Sequence, residues 1–267
     1  MDLRNRRGVI TGAGSGIGRE LAVEFGRRGG DLLLVGRRQE TLDETAELVR
    51  SAGGAASILE LDVTAPGAAE RIQAAAASPD LLVNNAGNVR AGRLDELPES
   101  DIHAMIDLNL TAPILLTRSL LGPLRAAGSD RGSIILNISS GIALVGMPFY
   151  TVYAATKSGI AHFGEALRRE LHGTGVHVAT AYPGATATPM MDSSTAGEDL
   201  GFGRRPVEDV VADVLAALES GAHEINTALP TRRKMQDLNV TDPLAVDAAL
   251  APRLGALEEA TREHRSM

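Results

Sequence analysis

Short apolar runs alternate with helical patterns along most of the chain, and this alternation limits the fold more than any other feature of the sequence. Such runs indicate buried strands, and the intervening segments have the period of amphipathic helices. Because strand–helix–strand units build parallel sheets, we predict an α/β fold: a single-domain, doubly wound, parallel seven-stranded sheet with helices on both faces. The predicted strands span residues 8–11, 31–36, 55–60, 81–84, 132–139, 176–182 and 224–227, with six helices between them.

A glycine-rich turn follows the first predicted strand. Residues 11–18 read T-G-A-G-S-G-I-G and lead into a helical pattern, which is the context of a Rossmann-like dinucleotide site. Glycine lets the backbone approach a pyrophosphate closely, and the N-terminus of the helix presents free N–H groups and a positive dipole end to that anion. The sequence predicts cofactor contacts from Gly12, Ser15, Gly16, Ile17 and Gly18.

A tyrosine and a lysine lie one helical turn apart at positions 153 and 157. Their spacing places both side chains on one helix face. Lys157 is notable because the chain contains one other lysine, Lys234, among many arginines. A phenol has an ordinary pKa of about 10, and a fixed cation nearby lowers that pKa toward the range of a general base. Tyr153 and Lys157 are therefore candidate catalytic residues.

With these motifs the chain resembles the short-chain dehydrogenase/reductase family over roughly residues 5–229. The family's motifs occur in order and at the expected spacing, at residues 11–18, Asp62 with Val63, residues 84–87, Asn109, Ser139, Tyr153 with Lys157, and Pro183, Gly184, Thr186 and Thr188. The resemblance implies an NAD(P)-dependent oxidoreductase that interconverts a carbonyl and a secondary alcohol by hydride transfer. Tyr153 is then the general acid/base.

The resemblance also implies roles for the other catalytic candidates. Ser139 would donate a hydrogen bond to the reacting oxygen, and its spacing to Tyr153 favours it over Ser140. Lys157 would lower the pKa of Tyr153 and hold the nicotinamide ribose. Asn109 would interrupt a helix and position a water molecule in a proton relay.

Further cofactor contacts follow from the resemblance alone. Asp62 and Val63 would meet the adenine, and the segment after the fourth strand would support the sheet and approach the adenosine ribose. A third segment would orient the nicotinamide. These last two sets are Asn85, Ala86 and Gly87, and Pro183, Gly184, Thr186 and Thr188.

The end of the second predicted strand indicates which cofactor is preferred. A site for NAD needs a carboxylate there to bind the ribose hydroxyls. Gly36 occupies that position, whereas Asp31 lies at the wrong end of the strand. Arg37 and Arg38 follow, and a guanidinium suits a phosphate. The sequence predicts NADP(H), with NAD(H) as the less favoured cofactor.

Composition restricts the remaining function classes. A formal net charge of −8 argues against a nucleic-acid surface and against acidic membranes. The sequence has no cysteine and no clustered histidine motif, so we predict neither a disulfide framework nor a metal site. The N-terminus lacks an apolar stretch that could serve as a signal peptide, and no apolar run approaches the length needed to cross a bilayer, so we expect a cytoplasmic protein without a membrane partner.

Residues 1–229 are predicted to form the NADP(H)-binding and catalytic domain, and residues 230–267 a helical C-terminal tail rather than a separate domain. The sequence leaves open whether this tail joins a subunit interface or covers the substrate mouth. Residues 141–151 and 190–205 should line the substrate pocket, the second as a mobile lid, and their apolar side chains favour a small hydrophobic ketone or alcohol. Helices at 99–124 and 152–171 carry apolar residues beyond one core-facing stripe, and the family resemblance implies that they pair across a two-fold axis, so we expect a homodimer or homotetramer.

Two other functions compete with this interpretation. A non-catalytic redox sensor would need only the NADP(H) site, although the catalytic candidates are all present. An epimerase or dehydratase of the related extended fold is the second alternative, although such chains are longer and space their glycines differently.

Overall fold

The computed structural model describes residues 1–266 and contains the predicted parallel sheet. Its seven strands run in the order β3-β2-β1-β4-β6-β7-β8, and a separate two-stranded ribbon pairs β5 with β9. The strands are β1 (Arg7–Thr11), β2 (Asp31–Gly36), β3 (Ala55–Glu60), β4 (Leu81–Asn84), β5 (Val89–Arg90), β6 (Ser133–Ile138), β7 (Val176–Tyr182), β8 (Glu224–Asn226) and β9 (Arg265–Ser266). The predicted fold class is confirmed, while the ribbon was not foreseen.

Ten α-helices accompany these strands within the described chain. They are α1 (Gly16–Arg27), α2 (Gln39–Ser51), α3 (Ala68–Ala75), α4 (Glu99–Ile106), α5 (Ala112–Arg131), α6 (Thr151–Glu170), α7 (Val207–Glu219), α8 (Pro230–Thr241), α9 (Pro243–Leu250) and α10 (Leu254–Thr261). Helices α1, α2 and α7 pack on one face of the sheet, and α3, α5 and α6 pack on the other. The last three helices belong to the C-terminal tail.

Burial on both faces explains why the strands read as continuous apolar runs. In β2, Leu32 and Leu34 enter the core beneath α1 and α2, whereas Leu33 and Val35 enter the opposite core. Successive side chains of a strand point to opposite faces, so a central parallel strand needs apolar residues at every position. Each fully buried leucine contributes about 1.5 to 3 kcal/mol relative to an exposed one.

Helices α4 and α5 are joined by a π-helical turn at Asp107–Thr111, so one helical segment runs from Glu99 to Arg131. By length and composition this 33-residue segment is apolar enough to cross a membrane, which corrects the expectation drawn from inspection of the sequence. Such a test is also passed by core helices, and here Leu116, Leu120 and Leu124 are buried against the sheet.

The chain order of the sheet reverses beside β1, which has β2 on one side and β4 on the other. In open α/β sheets, ligands bind at the carboxyl ends of the strands next to such a reversal. The tail returns to this same edge, where Val246, Leu250 and Leu257 pack with Ile142 and Val145 of the loop after β6. The tail therefore lies over this edge of the sheet, where the substrate is predicted to bind.

Candidate active site

A cleft of about 740 Å³ runs across the carboxyl ends of the central strands. It is lined by almost all of the residues predicted to bind the cofactor or to act in catalysis. Gly18 and Asn109 are the exceptions. The structure thus brings together groups that lie as far apart in sequence as Gly12 and Thr188.

Glycine is required in the turn after β1 for two separate reasons. Gly12 and Gly16 have φ angles of +64° and +53°, in the left-handed region that disfavours other residues. Gly18 lies inside α1, where a Cβ atom would collide with the Gly12 carbonyl oxygen and the Asn85 amide. Gly18 therefore allows the helix to pack closely against the turn, and the structure does not place it on the cleft as predicted.

The segment after β4 holds the glycine turn in place. The Thr11 hydroxyl accepts hydrogen bonds from the backbone N–H groups of Asn85 and Ala86, at 3.0 and 3.1 Å. The Asn85 side chain donates to the carbonyl oxygens of Thr11 and Gly12, at 3.0 and 3.1 Å. Because these bonds fix β4 to the turn, the Asn85 amide supports the binding surface of the cleft.

Two exposed arginines lie at the far end of the cleft, where β2 ends. Arg37 and Arg38 both line the cleft, and neither takes part in an ion pair or a side-chain hydrogen bond formed among residues 1–266. Burial acts to raise the pKa of the neighbouring Asp62, but hydrogen bonds from Thr64 and the charge of Arg37 outweigh it, so the pKa is lowered. The guanidinium groups are therefore available to an anionic group bound beside Gly36.

Tyr153 and Lys157 lie on one face of α6, as predicted. The Lys157 Nζ is 5.8 Å from the centroid of the Tyr153 ring and donates to the Ile138 carbonyl oxygen at 3.0 Å. Burial raises the pKa of Tyr153 to about 12 and lowers that of Lys157 to about 8. The expected lowering of the Tyr153 pKa by the ammonium is thus absent from the free protein, because desolvation penalises both charged forms.

The two serines at the end of β6 point in different directions. The Ser139 hydroxyl is 4% exposed and donates to the Lys157 carbonyl oxygen at 2.7 Å. The Ser140 hydroxyl accepts from the Ile142 N–H at 3.3 Å, and the Ser140 side chain lines the cleft beside Tyr153, where it acts to lower the pKa of the phenol. Adjacent residues of an extended chain face opposite sides. The structure therefore places Ser140, and not the predicted Ser139, beside the phenol.

Asn109 lies in the π-helical turn and is buried, with 2% of its surface exposed. Its Oδ1 accepts from the Asn88 N–H at 2.9 Å, and its Nδ2 donates to the Asn88 carbonyl oxygen at 2.9 Å and to the Thr156 hydroxyl at 3.2 Å. A Cβ atom at Gly87 would approach both Asn109 and Lys157. The amide therefore positions the loop after β4 against α6, and its place in a proton relay stays a prediction.

The segment predicted to meet the nicotinamide is fixed by its own hydrogen bonds. The Ala187 N–H donates to the Arg205 carbonyl oxygen at 2.8 Å, and the Arg205 N–H donates to Ala185 at 2.9 Å. The Thr186 hydroxyl donates to Gly184 at 3.0 Å, so this side chain serves the loop itself. Thr188 lies beside Gly16: a Cβ atom at position 16 would be 3.1 Å from the methyl group of the Thr188 side chain.

The tail supplies cleft residues that no sequence pattern indicated. Leu229, Thr231, Arg232, His264 and Ser266 line the cleft. The part of the cleft beside Tyr150 and Tyr153, where the substrate is predicted to bind, is its substrate end. Both ring nitrogens of His264 form hydrogen bonds. Its Nε2 lies 3.0 Å from the Met190 carbonyl oxygen, which accepts, and its Nδ1 lies 2.7 Å from the Tyr150 hydroxyl. Tyr150 is therefore tied to a residue 114 positions away, a distance over which sequence periodicity carries no signal.

The segment at 190–205 is also bonded to the tail. The Thr195 N–H donates to the Ala260 carbonyl oxygen at 3.1 Å, and the Ser193 hydroxyl donates to Arg265 at 2.9 Å. The Arg204 side chain closes the segment on itself by donating to the Met191 carbonyl oxygen at 2.9 Å. Segment and tail form one cover over the substrate end, and mobility of this cover stays a prediction.

Comparison with known proteins gives a consistent result. A family model described as short chain dehydrogenase matches residues 7–199. An uncharacterized oxidoreductase of Thermotoga maritima is 33% identical over 70% of this chain and 74% of its own length. Human 17-beta-hydroxysteroid dehydrogenase type 3 is 34% identical over 68% of this chain but only 59% of its own length. A short-chain dehydrogenase from Sphingobium yanoikuyae, solved in complex with NADPH, superposes with a TM-score of 0.77 at 27% identity, covering 90% of this chain and 94% of that chain.

Proposed function

From the premise that this chain belongs to the short-chain dehydrogenase family, whose members are NAD(P)-dependent oxidoreductases of alcohols and ketones, we propose that it interconverts a ketone and a secondary alcohol with Tyr153 as the general acid/base. One observation carries the proposal. A partly buried phenol, a serine hydroxyl and a buried ammonium meet in the same cleft as the glycine turn. A dinucleotide site alone would not require these three groups together.

The protonation state of the site favours proton donation. When bound, the nicotinamide supplies or accepts the hydride. With a pKa of about 12, the Tyr153 hydroxyl keeps its proton at neutral pH and can donate it to the carbonyl oxygen of a substrate. The Ser140 hydroxyl donates a hydrogen bond to the same oxygen as negative charge develops there. The free protein is therefore prepared for carbonyl reduction.

Lys157 acts on the other side of the phenol. Its Nζ is buried and held by the Ile138 carbonyl oxygen, so the ammonium is fixed near the Tyr153 ring. As Tyr153 loses its proton, this charge stabilises the phenolate more strongly than it would in water, because the effective dielectric is lower in the protein. The remaining N–H donors of Lys157 would hold the ribose hydroxyls of a bound nicotinamide cofactor.

We propose NADP(H) as the preferred cofactor. Gly36 leaves space at the end of β2, and Arg37 and Arg38 provide guanidinium groups that form no ion pair within the described chain. A 2′-phosphate matches that charge, whereas the hydroxyl of NAD(H) does not. The NADPH-bound relative from Sphingobium supports this choice.

The proposed substrate is an apolar ketone or its alcohol. The substrate end of the cleft is lined by apolar side chains such as Ile142, Met190 and Phe202, and the human relative is named as a hydroxysteroid dehydrogenase. We also propose a homodimer or tetramer through α4, α5 and α6, because Leu115 on α5 is 47% exposed in the single chain. A cytoplasmic location stays a prediction.

The test is an assay of NADPH oxidation with a panel of apolar ketones. The wild type should turn over at least one of them. Tyr153→Phe keeps the packing of the ring and removes the proton donor, so it should lose activity by orders of magnitude while its Kd for NADPH stays unchanged. NADPH binding without turnover of any ketone would instead favour a redox sensor, and near-normal turnover by Tyr153→Phe would contradict the assigned role.

A further inference from the structure

Arg232 is a charged side chain at the apolar, substrate end of the cleft. It is partly buried and lines the cleft together with Tyr153. Its guanidinium carbon lies 5.8 Å from the centroid of the Phe202 ring. Its Nη1 approaches the Met147 and Met235 sulphurs at 2.9 and 3.5 Å. Burial lowers the pKa of Arg232 to about 10, which still leaves the side chain positively charged at neutral pH.

The protein surrounds this charge with weak acceptors. A guanidinium carries five N–H donors in a planar fork, and a thioether sulphur accepts hydrogen bonds poorly. The ion pairs formed among residues 1–266, with N···O distances of 4.0 Å or less, do not include Arg232. The adjacent Arg233 differs, because its guanidinium donates to the carbonyl oxygens of Ala228 and Asn226. A partly buried cation without an anion is costly, so the site is electrostatically incomplete without a ligand.

The surroundings of Arg232 also favour an anion. The residue lies in the first turn of α8, at the positive end of the helix dipole. The backbone N–H groups of Arg232 and Arg233 already donate to the Leu229 carbonyl oxygen, so the guanidinium is the group that this turn offers to a ligand. Thr231 lines the same part of the cleft, and its hydroxyl forms no hydrogen bond with another group of the described chain. The charge, the dipole and the hydroxyl therefore meet at one place in the cleft.

We propose that the substrate carries a carboxylate that binds Arg232 while its carbonyl oxygen meets Tyr153. The planar fork of a guanidinium matches a carboxylate in a bidentate arrangement. The substrate class is then a keto acid, or the corresponding hydroxy acid, with an apolar or aromatic part against Phe202 and Tyr150. This inference rests on the proposed function, because it identifies the substrate of the same cleft.

Glu198 is the acidic residue that could compete with such a ligand. It is exposed and lines the same end of the cleft, but it forms no ion pair with Arg232 in the structure. If Glu198 neutralised Arg232 in solution, a substrate carboxylate would gain little. The variant Glu198→Gln distinguishes these two cases, because a preference for the acid would appear only in this variant if Glu198 neutralised Arg232.

The experiment compares two aryl keto acids, benzoylformate and benzoylpropionate, with their methyl esters. In the wild type, kcat/KM should favour at least one acid over its ester by about 10- to 100-fold, equivalent to about 1.4 to 2.8 kcal/mol at 1.4 kcal/mol per tenfold. In Arg232→Met this ratio should fall to about one or below, because the acid loses its cationic partner and the ester has none to lose. Lys234→Met, which removes an exposed charge from the same helix, should keep the wild-type ratio.

A binding measurement separates this inference from the proposed function. Phenylacetate, which cannot be reduced, should bind wild type in the presence of NADP⁺ with a Kd at least about tenfold lower than that of phenylacetamide. That difference should disappear in Arg232→Met. Turnover of the esters reports on the proposed function, whereas the acid-to-ester and phenylacetate-to-phenylacetamide ratios report on Arg232.

Several outcomes would overturn the carboxylate site. These are a wild type without preference for either acid, an equal loss for acid and ester in Arg232→Met, or a preference that appears only in Glu198→Gln. If Arg232→Met does not fold, Arg232→Lys is the second variant. It keeps the charge but loses the planar fork, so part of the acid preference should remain.

Discussion

The adjacent serines at the end of β6 provide the sharpest test of the active-site geometry. Ser140→Ala should lower kcat for ketone reduction by about 10²- to 10³-fold, because its hydroxyl lies beside the Tyr153 phenol and loss of a donor to a developing oxyanion costs about 2.7 to 4 kcal/mol. Ser139→Ala should leave kcat within about threefold, or about 0.6 kcal/mol, because its hydroxyl is already bonded to the Lys157 carbonyl oxygen at 2.7 Å.

For stability we expect the reverse order, with Ser139→Ala more destabilised than Ser140→Ala. Ser139→Ala leaves a buried carbonyl without one of its donors, which costs about 1 to 3 kcal/mol in the free energy of unfolding. For a domain of this size each kcal/mol corresponds to about 2 to 4 °C in Tm. Ser140 is only partly buried and its hydroxyl accepts one long hydrogen bond, from the Ile142 N–H at 3.3 Å, so Ser140→Ala should lower Tm less than Ser139→Ala does.

The assay is steady-state NADPH oxidation with a ketone that the wild type reduces, combined with thermal unfolding of both variants. The Kd for NADPH is the control and should stay at the wild-type value in each. If Ser139→Ala lost activity by about 100-fold while Ser140→Ala remained active, the geometric reasoning would be refuted and the serine predicted from sequence spacing would be the catalytic one.

Three further perturbations test other parts of the structure. Gly36→Asp should reverse a wild-type preference for NADP(H) of about 10- to 100-fold in kcat/KM, since a Cβ atom there meets only the flexible Leu42 side chain, at 3.3 Å; a wild type that favours NADH would contradict the cofactor assignment. Burial lowers the pKa of His264 in the folded protein, so at a pH below about 6.5 this histidine is protonated to a greater extent in the unfolded chain than in the folded one. The free energy of unfolding should therefore decrease as the pH falls below about 6.5. His264→Gln should show a shallower decrease in Tm between about pH 7 and 5 than wild type, and identical slopes would count against this linkage. Asn109→Ala removes a buried amide with three hydrogen bonds and should lower the free energy of unfolding by about 1 to 3 kcal/mol; an unchanged Tm would exclude a positioning role.

Local patterns in the sequence were sufficient to predict the sheet and the glycine turn. The strand β2 was predicted at its observed limits, because a central strand buried on both faces must be apolar at each position. Gly12 and Gly16 were recognisable because a left-handed backbone conformation restricts residue type at single positions. Tyr153 and Lys157 were predicted together because one helical turn fixes their relative position.

Features that depend on contacts between distant segments were decided by the tertiary structure. Ser139 and Ser140 differ by one position in sequence, and only the packing of α6 against the end of β6 determines which hydroxyl meets Tyr153. The direction of the Tyr153 pKa shift depends on burial, which spacing to Lys157 does not report.

The contacts that the C-terminal tail makes at the cleft likewise could not be predicted from the sequence. His264 meets Tyr150, and Arg232 enters the cleft beside Phe202, although neither belongs to a sequence motif. Periodicity and motif spacing encode neighbours along one element, whereas these contacts depend on where the tail returns across the sheet. The sequence by itself therefore determined the fold, the glycine turn and the pairing of Tyr153 with Lys157, while the tertiary structure decided the serine, the protonation state of the phenol and the charge at the substrate end of the cleft.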